Sequence, residues 1–173
     1  MYADSKERYG RVSMILHWGM AVLIGWQLLK FTKRIAEGEH WIGETLVPWH
    51  TSIGILLLVL IVLRLIWVMT QRDHRPVHDP ATAILVKTGH SLLYAGMLLM
   101  PLAGIMVMLG GGYGVTAFGI EIFAKGEEIA WAASLGKLHS PMAWLLTLLI
   151  IGHIGMAFIH HFIKRDDTLK RML

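Results

Sequence analysis

The sequence predicts an all-α membrane protein, a bundle of four transmembrane helices with both termini in the cytoplasm. Three observations lead there. Hydrophobic residues make up 55% of the 173-residue chain and charged residues only 16%, far from the profile of a soluble domain of this length. Four apolar segments separate cleanly, Val12 to Phe31, Val47 to Met69, Ala81 to Leu109 and Leu138 to Ile163, each long enough to cross ~30 Å of hydrocarbon as a helix, which takes ~20 residues. Of the sixteen Lys and Arg residues, Lys30, Lys33, Arg34, Lys125 and Lys137 fall outside if the N-terminus is inside, and the other eleven fall inside. That bias fixes the orientation.

The first apolar segment follows a charged start and lacks the short core and small-residue cleavage site of a signal peptide, so it is expected to be retained as helix one. Backbone polar groups cannot be left bare in lipid, which demands continuous helices packed as a bundle. The second helix follows the polar turn TKRIAEGEHWIGE and the third follows QRDHRPVHDP. The longer connection from Gly110 to Lys137 carries GGGYG and FGIEIF and is expected to fold as a lid over the outer mouth. The fourth helix closes the bundle. No internal repeat divides the chain, so residues 1–173 are read as a single transmembrane domain. The net charge of +4 follows from the inner basic bias meeting anionic lipid. No basic stripe is interleaved with aromatics, so nucleic acid is not an expected partner.

The chain has no cysteine, which excludes structural disulfides, thiolate metal sites, iron-sulfur clusters and covalent haem attachment through C-x-x-C-H. Its ten histidines are then the conspicuous polar feature of an apolar chain. The fourth segment reads LHSPMAWLLTLLIIGH, beginning and ending with imidazoles that would each cost several kcal/mol in hydrocarbon without a partner. His139 and His153 lie 14 residues apart, about 21 Å along a helix and close to four turns, so both rings point to nearly the same side. His50 opens helix two at the outer level of His139, and His17 enters helix one at the inner level of His153.

Two opposed imidazoles at one depth, twice, with no carboxylate or thiolate beside them, suit axial ligation of a planar macrocycle better than a bare ion. Zinc would need three or four donors in a tetrahedral set, and no H-E-x-x-H is present. Bis-histidine ligation of two b haems by His17, His50, His139 and His153 is the reading. Gly54, one turn after His50, and Gly19, Gly25, Gly152 and Gly155 are candidates for a helix face on which a macrocycle lies flat, though glycine equally serves close helix approach.

Around these ligands, Arg64 in IVLRLIW stands at the inner level. It either snorkels to the interface or meets a haem propionate, and its depth favours the propionate. Trp18 follows a ligand directly and is expected to pack on the macrocycle. Trp41, Trp49, Trp67 and Trp131 are expected in the interfacial belt. His90, about two turns into helix three, is open to three readings: ligand, propionate partner, or lining of a second site. His40, His74 and His78 fall in loops and are expected to be solvated. No methionine is assigned as a ligand.

The stretches ERYGRVSMILHW, WHTSIG, KTGHSLLY and HHFIKRDDTLKRM together resemble the bacterial cytochrome b561 family, within the wider group that includes the cytochrome b subunits of nickel-iron hydrogenases and formate dehydrogenases. The resemblance covers essentially the whole chain. It implies a four-helix bundle of the bacterial inner membrane with one b haem near each face, ligated by the same four histidines. It also implies electron transfer between an external donor and the quinone pool, with superoxide as donor and ubiquinone as acceptor. A basic outer mouth would attract a small anion, but Glu37, Glu39, Glu44, Glu121, Glu127 and Glu128 share those loops and weaken that inference.

Quinone reduction consumes protons, and His160 and His161, just past His153, are placed to deliver them near neutral pH. Arg8, Arg11, His90 and Asp166 are candidate helpers. A second reading makes the chain a membrane anchor and electron conduit for a partner dehydrogenase or hydrogenase. A third, a haem-handling protein without turnover, gives no reason for two stacked haems.

Overall fold

A computed structural model describes residues 1–30, 41–76 and 82–173. Lys33, Arg34, Glu37, Glu39, His40, His78 and the expected helix ends at Phe31 and Ala81 lie outside the described residues. Helix α1 spans Arg11–Leu28, a short α2 spans Trp41–Thr45, α3 spans His50–Thr70 and α4 spans Ala83–Gly110. A hairpin of β1, Val115–Ala117, and β2, Ile120–Phe123, then leads to α5, Ala130–Gly136, and α6, His139–Phe158.

Among the described residues, three helical stretches are long and apolar enough to cross a membrane, in Val47–Thr70, Ala83–Gly110 and Ala130–Lys164. These helices are apolar on every face, as a helix must be when lipid and neighbouring helices share its surface. Helix α1 carries Arg11, His17 and Gln27 and packs with them as a fourth helix.

The packing runs in chain order, α1 on α3, α3 on α4, and α4 on α6. A buried apolar seam joins Met20 of α1 to Ile53, Leu57 and Ile61 of α3, with Ile61 fully buried. Trp67 also belongs to this seam, because its indole N–H donates to the Ser13 hydroxyl at 2.9 Å. Pro101 sits inside α4 and cannot donate to the Met97 carbonyl one turn back.

The connection after α4 departs from the all-α expectation. Val115 pairs with Phe123 and Ala117 with Ile120 in an antiparallel hairpin, closed by Phe118 and Gly119, both at positive φ (52° and 81°). Two central residues of that kind make a type I′ turn, whose twist suits a hairpin. The hairpin does fold over one mouth of the bundle, as expected of a lid: β1 packs on α3, and the Phe118 amide donates to the Ser52 hydroxyl at 3.0 Å.

The opposite end of the bundle gathers both termini. Asp4 is buried, accepts from the Gly10 amide at 2.8 Å and pairs with Arg75 Nε at 3.2 Å. The Tyr9 amide donates to the Arg171 carbonyl at 3.1 Å. The Trp18 indole N–H donates to the Met172 carbonyl at 2.9 Å.

Candidate functional site

Between α1, α3, α4 and α6 the helices leave a cavity of about 470 Å³ at the hairpin end, lined among others by Gln27, His50, Gly54, Gly104 and His139. That volume lies within the range of cofactor pockets. His50 comes from the first turn of α3 and His139 from the first turn of α6, and their ring centres stand 6.0 Å apart. At the termini end, His17 of α1 and His153 of α6 stand 6.1 Å apart. Two imidazoles on opposite sides of one metal, each nitrogen about 2 Å from it, hold their ring centres roughly 6 Å apart. The structure therefore brings together both pairs that depth alone selected, at the spacing of axial ligands. Among the described residues, no group of three or more His, Asp or Glu side chains gathers as a bare-ion site.

The surroundings of each ring differ. His139 Nδ1–H donates to the Met100 carbonyl at 3.1 Å; a carbonyl can only accept, so this tautomer leaves Nε2 with its lone pair. A Cβ on Gly104 would lie 3.1 Å from His139 Cε1, so the absence of a side chain there lets the ring lie against α4. Two buried polar atoms beside the cavity, His50 Nδ1 and Gln27 Oε1, have no hydrogen-bond partner among the described residues, although the Gln27 amide nitrogen donates to the His50 carbonyl at 2.9 Å. His17 Nδ1 is the acceptor of a 3.0 Å bond from Arg64 Nη2, and the guanidinium lies 5.5 Å from the centre of the Tyr94 ring. Arg64 is thus held inside the bundle at the level of the pair at the termini end, His17 and His153.

The remaining sequence candidates sort by position. His90 stands 5.5 Å from His153, ring centre to ring centre, which puts it beside the pair at the termini end. Trp18 meets His17 edge-on at 5.2 Å, but it is 43% exposed and its N–H is engaged by the C-terminal segment. His160 and His161 lie on a π-helical turn, Ile159–Lys164, that continues α6. His160 Nδ1 meets Asp166 Oδ2 at 2.5 Å, while the His161 ring lies 4.8 Å from that of Phe162.

Sequence reasoning missed Gln27, Tyr94 and Gly104. Gln27 was readable in principle, since a lone amide in the apolar run VLIGWQLL needs a partner.

Fold and site together define a helical membrane protein built around stacked pairs of facing imidazoles, the class of the membrane b-type cytochromes. The chain belongs to the prokaryotic cytochrome b561 family, whose pattern it matches over residues 8–173, and this family is one of haem b electron-transfer proteins of prokaryotic membranes. It is 32% identical to cytochrome b561 homolog 2 of Escherichia coli K12 over 99% of this chain and 94% of that protein. It is 27% identical to cytochrome b561 homolog 1 of the same organism, over 96% of this chain and 97% of the relative. A protein of Yersinia pestis described as probable superoxide oxidase CybB is 26% identical over 96% of both chains.

Proposed function

We propose that this chain is a di-haem b oxidoreductase of the bacterial inner membrane that passes electrons from a donor on the hairpin side to ubiquinone at the termini side. In this reading four helices span the bilayer, both termini are cytoplasmic, and the hairpin faces the periplasm. The observation that carries it is the stacking of two imidazole pairs, each about 6 Å across, at the two ends of α6.

When bound, two b haems would supply one-electron carriers at the two levels. His50 and His139 would hold one and His17 and His153 the other. The cavity beside the first pair is the space that cofactor needs. Arg64, bonded to His17, would hold a carboxylate of the second by paired charge-assisted bonds, for which a guanidinium is well suited, and His90 stands beside the same pair.

Superoxide is the donor we propose, by likeness to the relative described as a probable superoxide oxidase. Lys125 and Lys137 at the hairpin end, and Lys30 on the cavity wall, supply positive charge for a small anion. Two superoxide anions would each give up one electron and leave as dioxygen; ubiquinone would take the two electrons and two protons to become ubiquinol. The protons come from His160 or His161, whose imidazoles can act as general acids.

A second reading, a membrane conduit for a separate dehydrogenase or hydrogenase, draws support from one feature. The hairpin exposes Ile120, Ile122 and Phe123, an apolar edge that a protein donor could cover.

One experiment separates the two. Purified protein with its haems oxidised is mixed with superoxide in a stopped-flow spectrometer, and ubiquinone-1 is added to the product. Haem reduction by superoxide followed by reoxidation by ubiquinone-1 is expected. Haems that stay oxidised in superoxide but are reduced by a dehydrogenase partner would overturn the first reading in favour of the second.

A further inference from the structure

Past Phe158, five residues after His153, the backbone stops being an ordinary α-helix. The turn Ile159–Lys164 is π-helical and ends at Arg165, whose φ of 53° and ψ of 37° place it in the left-handed region. Such wide turns often occur where a helix presents a functional group. Here the geometry has a definite product. The reversal at Arg165 brings the Asp166 amide back to donate to the His160 carbonyl at 3.1 Å and sets the Asp166 carboxylate against the His160 ring, Oδ2 to Nδ1, at 2.5 Å. The second carboxylate oxygen accepts from the Thr168 amide at 2.9 Å, so the carboxylate is fixed from the side away from the imidazole. The Thr168 hydroxyl lies 3.4 Å from the same His160 nitrogen.

We infer that Asp166 is a positioning residue for His160: its carboxylate holds the proton on His160 Nδ1 and so turns Nε2 toward the lipid boundary as the atom that exchanges a proton with a quinone oxygen. The inference rests on the proposed quinone reaction and adds to it a choice between the two adjacent histidines. An ionised carboxylate can only accept, so the nitrogen facing it carries hydrogen. Asp166 stays ionised, because the Thr168 hydroxyl, the His160 ring and the Thr168 amide hold its carboxyl well below the ordinary carboxylate range. With Nδ1 occupied, Nε2 is the one nitrogen of the ring that can give or take a proton in turnover. After it gives one to the quinone, water at the membrane edge restores it, and the carboxylate stabilises the charged imidazolium in between. His161 faces Phe162 at 4.8 Å and has no comparable carboxylate among the contacts described for it.

The test uses the intact di-haem protein, reduced with dithionite and mixed with ubiquinone-1 in a stopped-flow spectrometer, with haem reoxidation as the readout. Asp166→Asn keeps the size and the bond to Thr168 but can present an N–H to His160, which favours the wrong tautomer. It should slow reoxidation by about 10- to 100-fold, the usual cost of losing an orienting partner. The dependence on quinone concentration, the haem count and the potential of the haem at the termini end should stay at wild-type values. The solvent deuterium isotope effect should rise, as proton transfer becomes limiting, and Asp166→Glu should restore part of the rate.

Lys170→Met, which breaks the exposed pair between Lys170 and Asp167 in the same segment but leaves the Asp166 carboxylate and Thr168 in place, should stay within a few-fold of wild type. A His160→Gln variant that is slow beside an Asp166→Asn variant at the wild-type rate would overturn this inference and leave the quinone site standing. Wild-type rates in both would overturn the two together. Equal loss in Asp166→Asn and Lys170→Met, without a change in isotope effect, would mean that the segment merely folds there and would also overturn it.

Discussion

Arg64 donates from Nη2 to His17 Nδ1 at 3.0 Å, a direction of bonding that a ligated His17 could not sustain. Arginine has no acceptor, so in this arrangement Nδ1 is bare and Nε2 carries the proton. Coordination through Nε2 moves the proton to Nδ1, and two donors then face each other. Arg64 has to turn to another acceptor, and a propionate at that level would provide one. His139 needs no such exchange, since its Nδ1–H already donates to a carbonyl.

Removing that cation should therefore act on one haem. Arg64→Met should keep both haems and lower the midpoint potential of the one held by His17 and His153, because the oxidised, more positive state no longer meets a nearby like charge. A single charge at this range in a protein interior is worth about 1–3 kcal/mol, which corresponds to a shift on the order of 50 mV or more. Redox titration followed at the haem absorption band checks it, and an unshifted potential would show that Arg64 does not face the cofactor.

The pairing by depth predicts selective loss. His139→Ala should remove the haem at the hairpin end and leave the other, and His17→Ala should do the reverse, so each variant holds one haem per chain in place of two. A pyridine haemochrome assay gives the stoichiometry and the reduced spectrum identifies the survivor. A wild-type protein with one haem, or loss of both from either variant while the helices remain folded, would break the assignment.

The four histidines were legible because the physics that selects them is local. An imidazole in hydrocarbon needs a partner, and a spacing of 14 residues puts two of them on one helix face. Other features depend on distant chain. Asp4 reads as an ordinary charged residue before a helix, and nothing in its neighbourhood names Arg75, 71 positions away, as its partner. Trp67 has the composition of a belt residue, and only the approach of α1 turns its indole to Ser13. The hairpin had a signal, Phe118-Gly119 between two runs of β-formers, but one that is weak without the usual Asn-Gly or Asp-Gly. Gly104 carries no signal of its own, because a glycine matters only by what lies opposite, and His139 lies opposite through packing.

Tyr9 offers a check on the end of the bundle that gathers both termini. Burial, the largest influence, raises its phenol above the ordinary value of 10.0, although the neighbouring Arg75 pulls the other way. A raised value means that the folded state holds its proton more tightly than the unfolded chain. The stabilisation is therefore fully present below pH 10 or so and is lost as pH climbs through the higher folded value. Melting temperatures between pH 9 and about 11.5 should fall less steeply for Tyr9→Phe than for wild type. Parallel slopes would mean that the phenol is not buried against Arg75.

Gly104 should prove to be the residue that admits the upper cofactor. A Cβ there would stand 3.1 Å from His139 Cε1 and 3.3 Å from its Nδ1, closer than ordinary van der Waals contact. Gly104→Ala must displace the ring by a few tenths of an ångström, which also strains the bond from Nδ1 to Met100. Such overpacking typically costs about 1–3 kcal/mol. The variant should keep its haem at the hairpin end with a shifted low-temperature EPR signal and lose it more readily on warming. Gly104→Leu goes further, since its side chain enters the 470 Å³ cavity in the space the macrocycle needs, and it should yield a folded protein with the haem at the termini end alone. Haem stoichiometry beside circular dichroism reads both effects. Two haems with unshifted spectra in Gly104→Leu would mean that the macrocycle lies elsewhere than between His50 and His139.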